Sequence, residues 1–121
     1  MAYQLALEFK KGVYAFIRGN PEAYRDLRYR SQLFEAVASV EANLAEGWRR
    51  FGAGEMAQFI RFGLGSLEES KRRLKDGVHR GYFSEERCES VLVPGRRCGA
   101  AMMALWRSLQ PFTNHPPRKS R

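Results

Sequence analysis

The chain has 121 residues, of which 44% are hydrophobic, and a formal net charge of +8 at pH 7. That size and composition suit one globular domain with its own core and argue against a disordered chain. No apolar run approaches the roughly 20 residues of a membrane span, and Met1-Ala2-Tyr3-Gln4-Leu5 is not the basic lead of a signal peptide, so a cytoplasmic location is expected.

The first predicted helix covers residues 3–18, with Leu5, Phe9, Val13 and Phe16 recurring at helical spacing as its inward stripe. Gly19-Asn20-Pro21 then punctuates the chain. Asn20 suits a helix N-cap and Pro21 the first helical position, so a second helix is predicted over 21–51, ended by Gly52-Ala53-Gly54.

This second helix carries the most distinctive pattern. Gln32, Ala36, Ser39, Asn43 and Glu46 are spaced four, three, four and three residues apart and so share one helical stripe. Leu33, Val37, Val40 and Leu44 lie one residue further on, about 100° around the axis. A polar ladder beside an apolar seam predicts a helix packed on two sides, with side-chain hydrogen bonds along one of them.

A third helix is predicted over 55–80, with Glu55 at the positive end of its dipole. Its seam is Met56, Ile60, Gly63, Leu67, Leu74 and Val78. A second stripe of Glu55, Phe59, Phe62, Ser66, Glu69 and Arg73 mixes acids and a serine with large rings. Gly63-Leu64-Gly65 is unfavourable in a helix by about 1 kcal/mol per glycine, which predicts close approach of another backbone.

Gly81-Tyr82-Phe83 reads as a turn, and Ser84-Glu85-Glu86-Arg87 as the cap of a fourth helix over 84–110. Pro94-Gly95 falls inside it, yet Cys88, Val91, Gly95, Cys98, Met102, Leu105 and Leu109 keep one phase throughout. A kinked helix is therefore expected near Pro94 rather than two separate helices. Cys88 and Cys98 would stand about 15 Å apart on a straight helix, too far for a disulfide, and read as buried thiols. Residues 1–110 are thus expected to form an all-α, up-down-up-down four-helix bundle, with 111–121 a basic, disordered tail.

The positive charge is uneven. Residues 21–53 balance at five Arg against five acids, whereas Lys71-Arg72-Arg73-x-Lys75 is a dense basic run and Arg49-Arg50 closes the second helix. Arginine's planar fork suits phosphate oxygens. These six cations are the candidate nucleic-acid contacts, set against a solvated face in which Glu68 and Glu69 neutralise part of the run.

Ser39-Val40-Glu41-Ala42-Asn43-Leu44-Ala45-Glu46-Gly47 is similar to the Ser-Ile-x-x-Asn-Ile-Ala-Glu-Gly signature of the four-helix-bundle family named for 23S rRNA intervening sequences. Glu55-x3-Phe59-Ile60 followed by Gly65-Ser66-x2-Glu69 resembles that family's second signature, and Gln32 matches a glutamine seven residues before the serine. The likeness is sharp over 32–70 and looser from Leu5 to Leu109. It implies a bundle that assembles as a ring, typically a pentamer, with no established catalytic activity. It also implies an association with RNA, and a distant kinship with accessory proteins of diversity-generating retroelement reverse transcriptases. Pro94-Gly95 departs from the family's uninterrupted fourth helix.

Enzymatic readings fare worse. Di-metal sites in bundles use Glu-x-x-His pairs, and neither His79 nor His115 has a glutamate three residues before it. Helical spacing brings no histidine to Ser39 or Ser66, and Gly52-Ala53-Gly54-Glu55 lacks the lysine of a phosphate loop. No catalytic residue, metal or cofactor is expected. Gln32, Ser39, Asn43, Glu46, Glu55, Ser66 and Glu69 are read as a structural polar stripe whose glutamates accept bonds across a helix interface. Tyr14, Tyr24, Tyr29, Phe51, Phe59, Phe62 and Trp106 are more rings than four seams need, which predicts a homo-oligomer. Two functions remain: a non-enzymatic RNA-binding oligomer, or a protein-interaction scaffold such as a reverse-transcriptase accessory subunit.

Overall fold

The structure is a computed structural model, and it describes residues 1–113. The described residues form five helices and no strand: α1 (Ala2–Arg18), α2 (Pro21–Arg25), α3 (Leu27–Trp48), α4 (Ala53–His79) and α5 (Glu85–Thr113). None of them is long and apolar enough to cross a membrane. Among the four long helices, α1 packs on α3 and α5, α3 on α4, and α4 on α5. These contacts close a cycle, as the helices of a four-helix bundle do.

The predicted seams meet inside. Phe9, Val13, Leu33, Val37, Val40, Ile60, Leu67, Leu74, Cys98 and Met102 are buried in one continuous core, joined in α5 by Leu92, while the expected Val91 is only partly buried. In α1 the stripe ends on the fully buried Ile17, with Phe16 half-buried against Phe83 beside it, their rings 4.7 Å apart. Gly95 lets α1 come close, because a Cβ there would stand 2.8 Å from the Phe9 ring. Lys10 of α1 forms an ion pair with Glu41 of α3.

The predicted second helix is instead two. Asp26 leaves helical geometry at φ −79° and ψ 92°, and its carboxylate accepts a hydrogen bond from the Tyr29 N–H at 3.1 Å, capping α3. The same carboxylate accepts from the Tyr82 hydroxyl at 2.5 Å and from Arg80 at 3.2 Å. Asp26 thus trades helix continuity for a cap and two tertiary partners, a local competition that periodicity does not display. α3 also ends at Trp48, three residues before the expected limit. Asn20 holds the N-cap position of α2, with Pro21 following, but its side chain makes no cap bond.

At the other junctions the expected chemistry is present. Ser84 Oγ accepts from the Arg87 N–H at 3.1 Å, and Gly81 takes a positive φ of 81° in the turn before it. α5 then runs unbroken through Pro94 and on through Pro111 to Thr113, beyond its expected end. The rest of the expected tail, 114–121, lies outside the described residues. Cys88 and Cys98 are buried and unbonded to each other, as expected.

The Gly63–Gly65 expectation holds at one position only. A Cβ on Gly63 would meet Met102 Cε at 2.7 Å, with the Val40 carbonyl 3.6 Å away. The close neighbour is chiefly a side chain of α5 and only secondarily the backbone of α3. A Cβ on Gly65 would meet nothing among the described residues within 4 Å outside its own helical turn, and Gly65 instead borders an open groove.

Candidate functional site

α3 and α4 share the most extensive of these helix contacts, and a groove of about 770 Å³ runs along their outer side. Its walls combine parts of both stripes identified in the sequence, Gln32, Ala36, Ser39 and Asn43 from α3 and Phe62, Ser66, Glu69 and Arg73 from α4, with Glu35, Arg61 and Gly65, which neither stripe included. The alternation of three- and four-residue steps keeps each stripe on one side of its helix, so the two line the groove together.

A hydrogen-bonded ladder crosses the groove. Ser66 Oγ lies 2.8 Å from Ser39 Oγ, and Asn43 Nδ2 donates to Ser39 Oγ at 3.0 Å and to the Ser39 carbonyl at 2.8 Å. Towards the start of α3, Arg73 donates from Nη1 to Gln32 Oε1 at 2.8 Å and from Nε to Glu69 Oε2 at 2.5 Å. Arg72 also pairs with Glu69. Behind the ladder, the buried Ser70 donates to the Ser66 carbonyl at 2.8 Å.

Gln32, Ser39, Asn43, Ser66 and Glu69 therefore belong to one assembly, but Glu46 and Glu55 do not. Glu46 accepts from Arg49 at 2.8 Å and from Arg50 at 2.6 Å, and the hydrogen bond from Arg49 is the main reason its carboxyl sits below the ordinary value. Glu55 is exposed in the first turn of α4, without a hydrogen bond among the described residues. Glu46 pairs with the two arginines that follow α3 and Glu69 with arginines of its own helix, so neither bridges the interface; the bonds that cross it along this groove are Ser66 to Ser39 and Arg73 to Gln32. One-turn spacing makes such local pairs available without any tertiary contact.

The six candidate cations also separate. Arg49 and Arg50 close α3, and the Arg50 guanidinium lies 4.7 Å from the centre of the Phe59 ring near the start of α4. Lys71, Arg72, Arg73 and Lys75 lie towards the opposite end of α4, where Arg73 meets Gln32 and Tyr29 while Lys71 and Lys75 border clefts shared with α5. Helical rise alone puts Phe59 and Arg73 about 21 Å apart, so these are two patches. Nor are all six free: Lys71 pairs with Glu68 at 3.0 Å and its side chain is 24% exposed, while Arg73 is 30% exposed. Lys75 is exposed and makes no ion pair among the described residues.

Arg61 was absent from the sequence-based candidates. It is exposed, borders the groove and has no ion pair among the described residues. The available signal was its position four residues before Gly65 and eight before Glu69, one and two turns along the same wall. Among the described residues no cluster of His, Cys, Asp or Glu could hold a metal ion.

A family model described as 23S rRNA-intervening sequence protein matches residues 1–101. The chain belongs to this family. Comparison with curated proteins and with solved structures gave no match. Both stretches that resemble family signatures, Ser39–Gly47 and Glu55–Glu69, contribute residues to the α3–α4 groove.

Proposed function

We propose that this protein is a cytoplasmic, non-enzymatic, up-down-up-down bundle that assembles as a closed ring of identical chains, five being the first choice, and binds RNA through its basic helix surfaces. The observation that carries the reading is the cationic surplus, a net +8 in a chain whose family description refers to 23S rRNA. Arg49, Arg50, Lys71, Arg72 and Arg73 are held by neighbouring glutamates. The exposed pairs among them, at Arg49, Arg50 and Arg72, contribute only about 0–1 kcal/mol, so phosphates can replace those carboxylates at little cost. In a ring each patch recurs by symmetry and the field adds.

Binding of this kind falls steeply between about 50 and 200 mM salt and differs little between RNA sequences. An electrophoretic shift series across that range tests it, with Lys75→Gln and Lys71→Gln weakening binding at constant fold. Absence of a shift at micromolar protein and low salt would remove the RNA reading. A scaffold for a protein partner, for example a reverse transcriptase, would then replace it. Exposed Leu27, Trp48, Phe51, Val93 and Phe112 favour that second reading, because large apolar side chains on a surface suit a partner.

A further inference from the structure

The corner where α3 gives way to α4 combines features that phosphate neutralisation alone does not use. Phe51 stands fully exposed in the turn, and Phe62 is 49% exposed on α4. Between them, Arg50 lies over the Phe59 ring, which in turn meets Phe62 edge-on at 5.6 Å between ring centres. The row thus reads exposed ring, arginine, braced ring, half-exposed ring, and it ends at the mouth of the polar groove.

At that mouth Arg61 is exposed and has no ion pair among the described residues. Asn43 faces it across the groove; its amide nitrogen is spent on Ser39, and its carbonyl oxygen accepts no hydrogen bond from the described residues. The acids of the groove, Glu35 and Glu69, stand further along, with Glu35 about 12 Å from Asn43 by helical rise. At the corner itself Glu46 pairs with Arg49 and Arg50 and Glu55 is exposed; Arg49, Arg50 and Arg61 outnumber these two acids, so a polyanion still meets a net positive end first.

We infer that this corner and the adjoining end of the groove bind unpaired nucleotides of a single-stranded nucleic acid. Arg50 and Arg61 take the phosphates, Phe51 and Phe62 offer faces on which bases stack, and Asn43 accepts from a base amino or imino group. The inference rests on the RNA reading above and narrows it to strands whose bases are unstacked. In a duplex the base faces are covered, and aromatic side chains gain nothing from it. A lipid surface fits less well, because the rings alternate with charged and amide groups instead of forming one apolar face.

The test compares binding of fluorescein-labelled oligouridylate with binding of an RNA duplex of the same length, by polarisation across a salt series. The proteins are the full chain, a Phe51→Ala/Phe62→Ala variant and a Phe51→Leu/Phe62→Leu variant that keeps apolar bulk without a π face. Both variants should lose about tenfold in affinity for the single strand. Their duplex affinity, salt slope, helicity and assembly mass should match those of the unmodified protein. If the variants bind both RNAs as the unmodified chain does, the corner is not a stacking site although RNA binding stands. Full retention by the leucine variant alone would also overturn stacking, as would a changed assembly mass, which would assign the rings to contact between copies. If the unmodified chain binds neither RNA, the RNA reading falls and this inference with it.

Discussion

The Tyr29 hydroxyl donates a hydrogen bond of 2.7 Å to the backbone carbonyl of Arg73, tying the first turn of α3 to the last third of α4. Its ring is buried, and burial pushes the phenol well above its ordinary pKa, so it remains a donor at any physiological pH. The bond fixes the register in which Gln32 meets Arg73, and hence the closed end of the groove. Tyr29→Phe keeps the ring and removes the donor. The expected loss is about 1 kcal/mol of unfolding free energy, measured by urea denaturation, with the helical content unchanged. An unaltered midpoint would show that the bond does not hold the two helices in register.

Gly77 lies against the same cluster. A Cβ there would fall 2.3 Å from Phe83 Cζ and 2.4 Å from the Tyr29 hydroxyl oxygen. Gly77→Ala should therefore destabilise by about 1–3 kcal/mol through overpacking. Gly65→Ala, with nothing among the described residues within 4 Å of the new methyl outside its own helical turn, should instead stabilise α4 by about 0.5–1 kcal/mol through helix propensity. Equal effects of the two changes in thermal unfolding would contradict this contrast.

Acid should weaken the fold through two carboxylates. Asp26 sits below its ordinary 3.8 chiefly because the Tyr82 hydroxyl donates to it, and Glu46 below 4.5 chiefly because Arg49 does. A lowered folded pKa means the unfolded chain binds the proton first. The contribution is therefore complete above these ordinary values and is lost as pH falls through the lower, folded ones. Asp26→Asn retains a capping side chain but removes the charge, so its melting temperature should fall less steeply between pH 5 and pH 3. A slope equal to that of the unmodified chain would refute the assignment.

The thiols should be inert in the folded protein. Burial pushes the Cys98 thiol up to about 11 and raises Cys88 as well, and the thiolate is the reactive species. A thiol reagent at pH 8 should label neither cysteine until denaturant is added, and then both. Rapid labelling of Cys98 before unfolding would show that the α1–α5 interface opens, and of Cys88 that the α4–α5 interface does.

Self-assembly is the last expectation. Light scattering at micromolar concentration should return several times the chain mass of 13.9 kDa. A value near the single-chain mass would remove the ring and, with it, the repetition of the basic patches.

The sequence by itself determined the helices, their inward seams and the two stripes that line the groove. Those features depend on residue spacing along one helix, and spacing is present in the order of residues. Leu33, Val37 and Val40 had to be buried together, and Gln32, Ser39 and Asn43 had to share a face, whatever lay opposite. The tertiary structure decided what each stripe meets. Asp26 breaks a predicted helix because Tyr82 and Arg80, more than fifty residues away in sequence, converge on its carboxylate. Arg73 turns inward because Gln32 is there to receive it, while Arg61, chemically identical, has no ion pair among the described residues at the groove mouth. Side-chain hydrogen bonds and ion pairs act over a few ångströms, so the fate of each polar group is fixed by neighbours that only packing brings within reach.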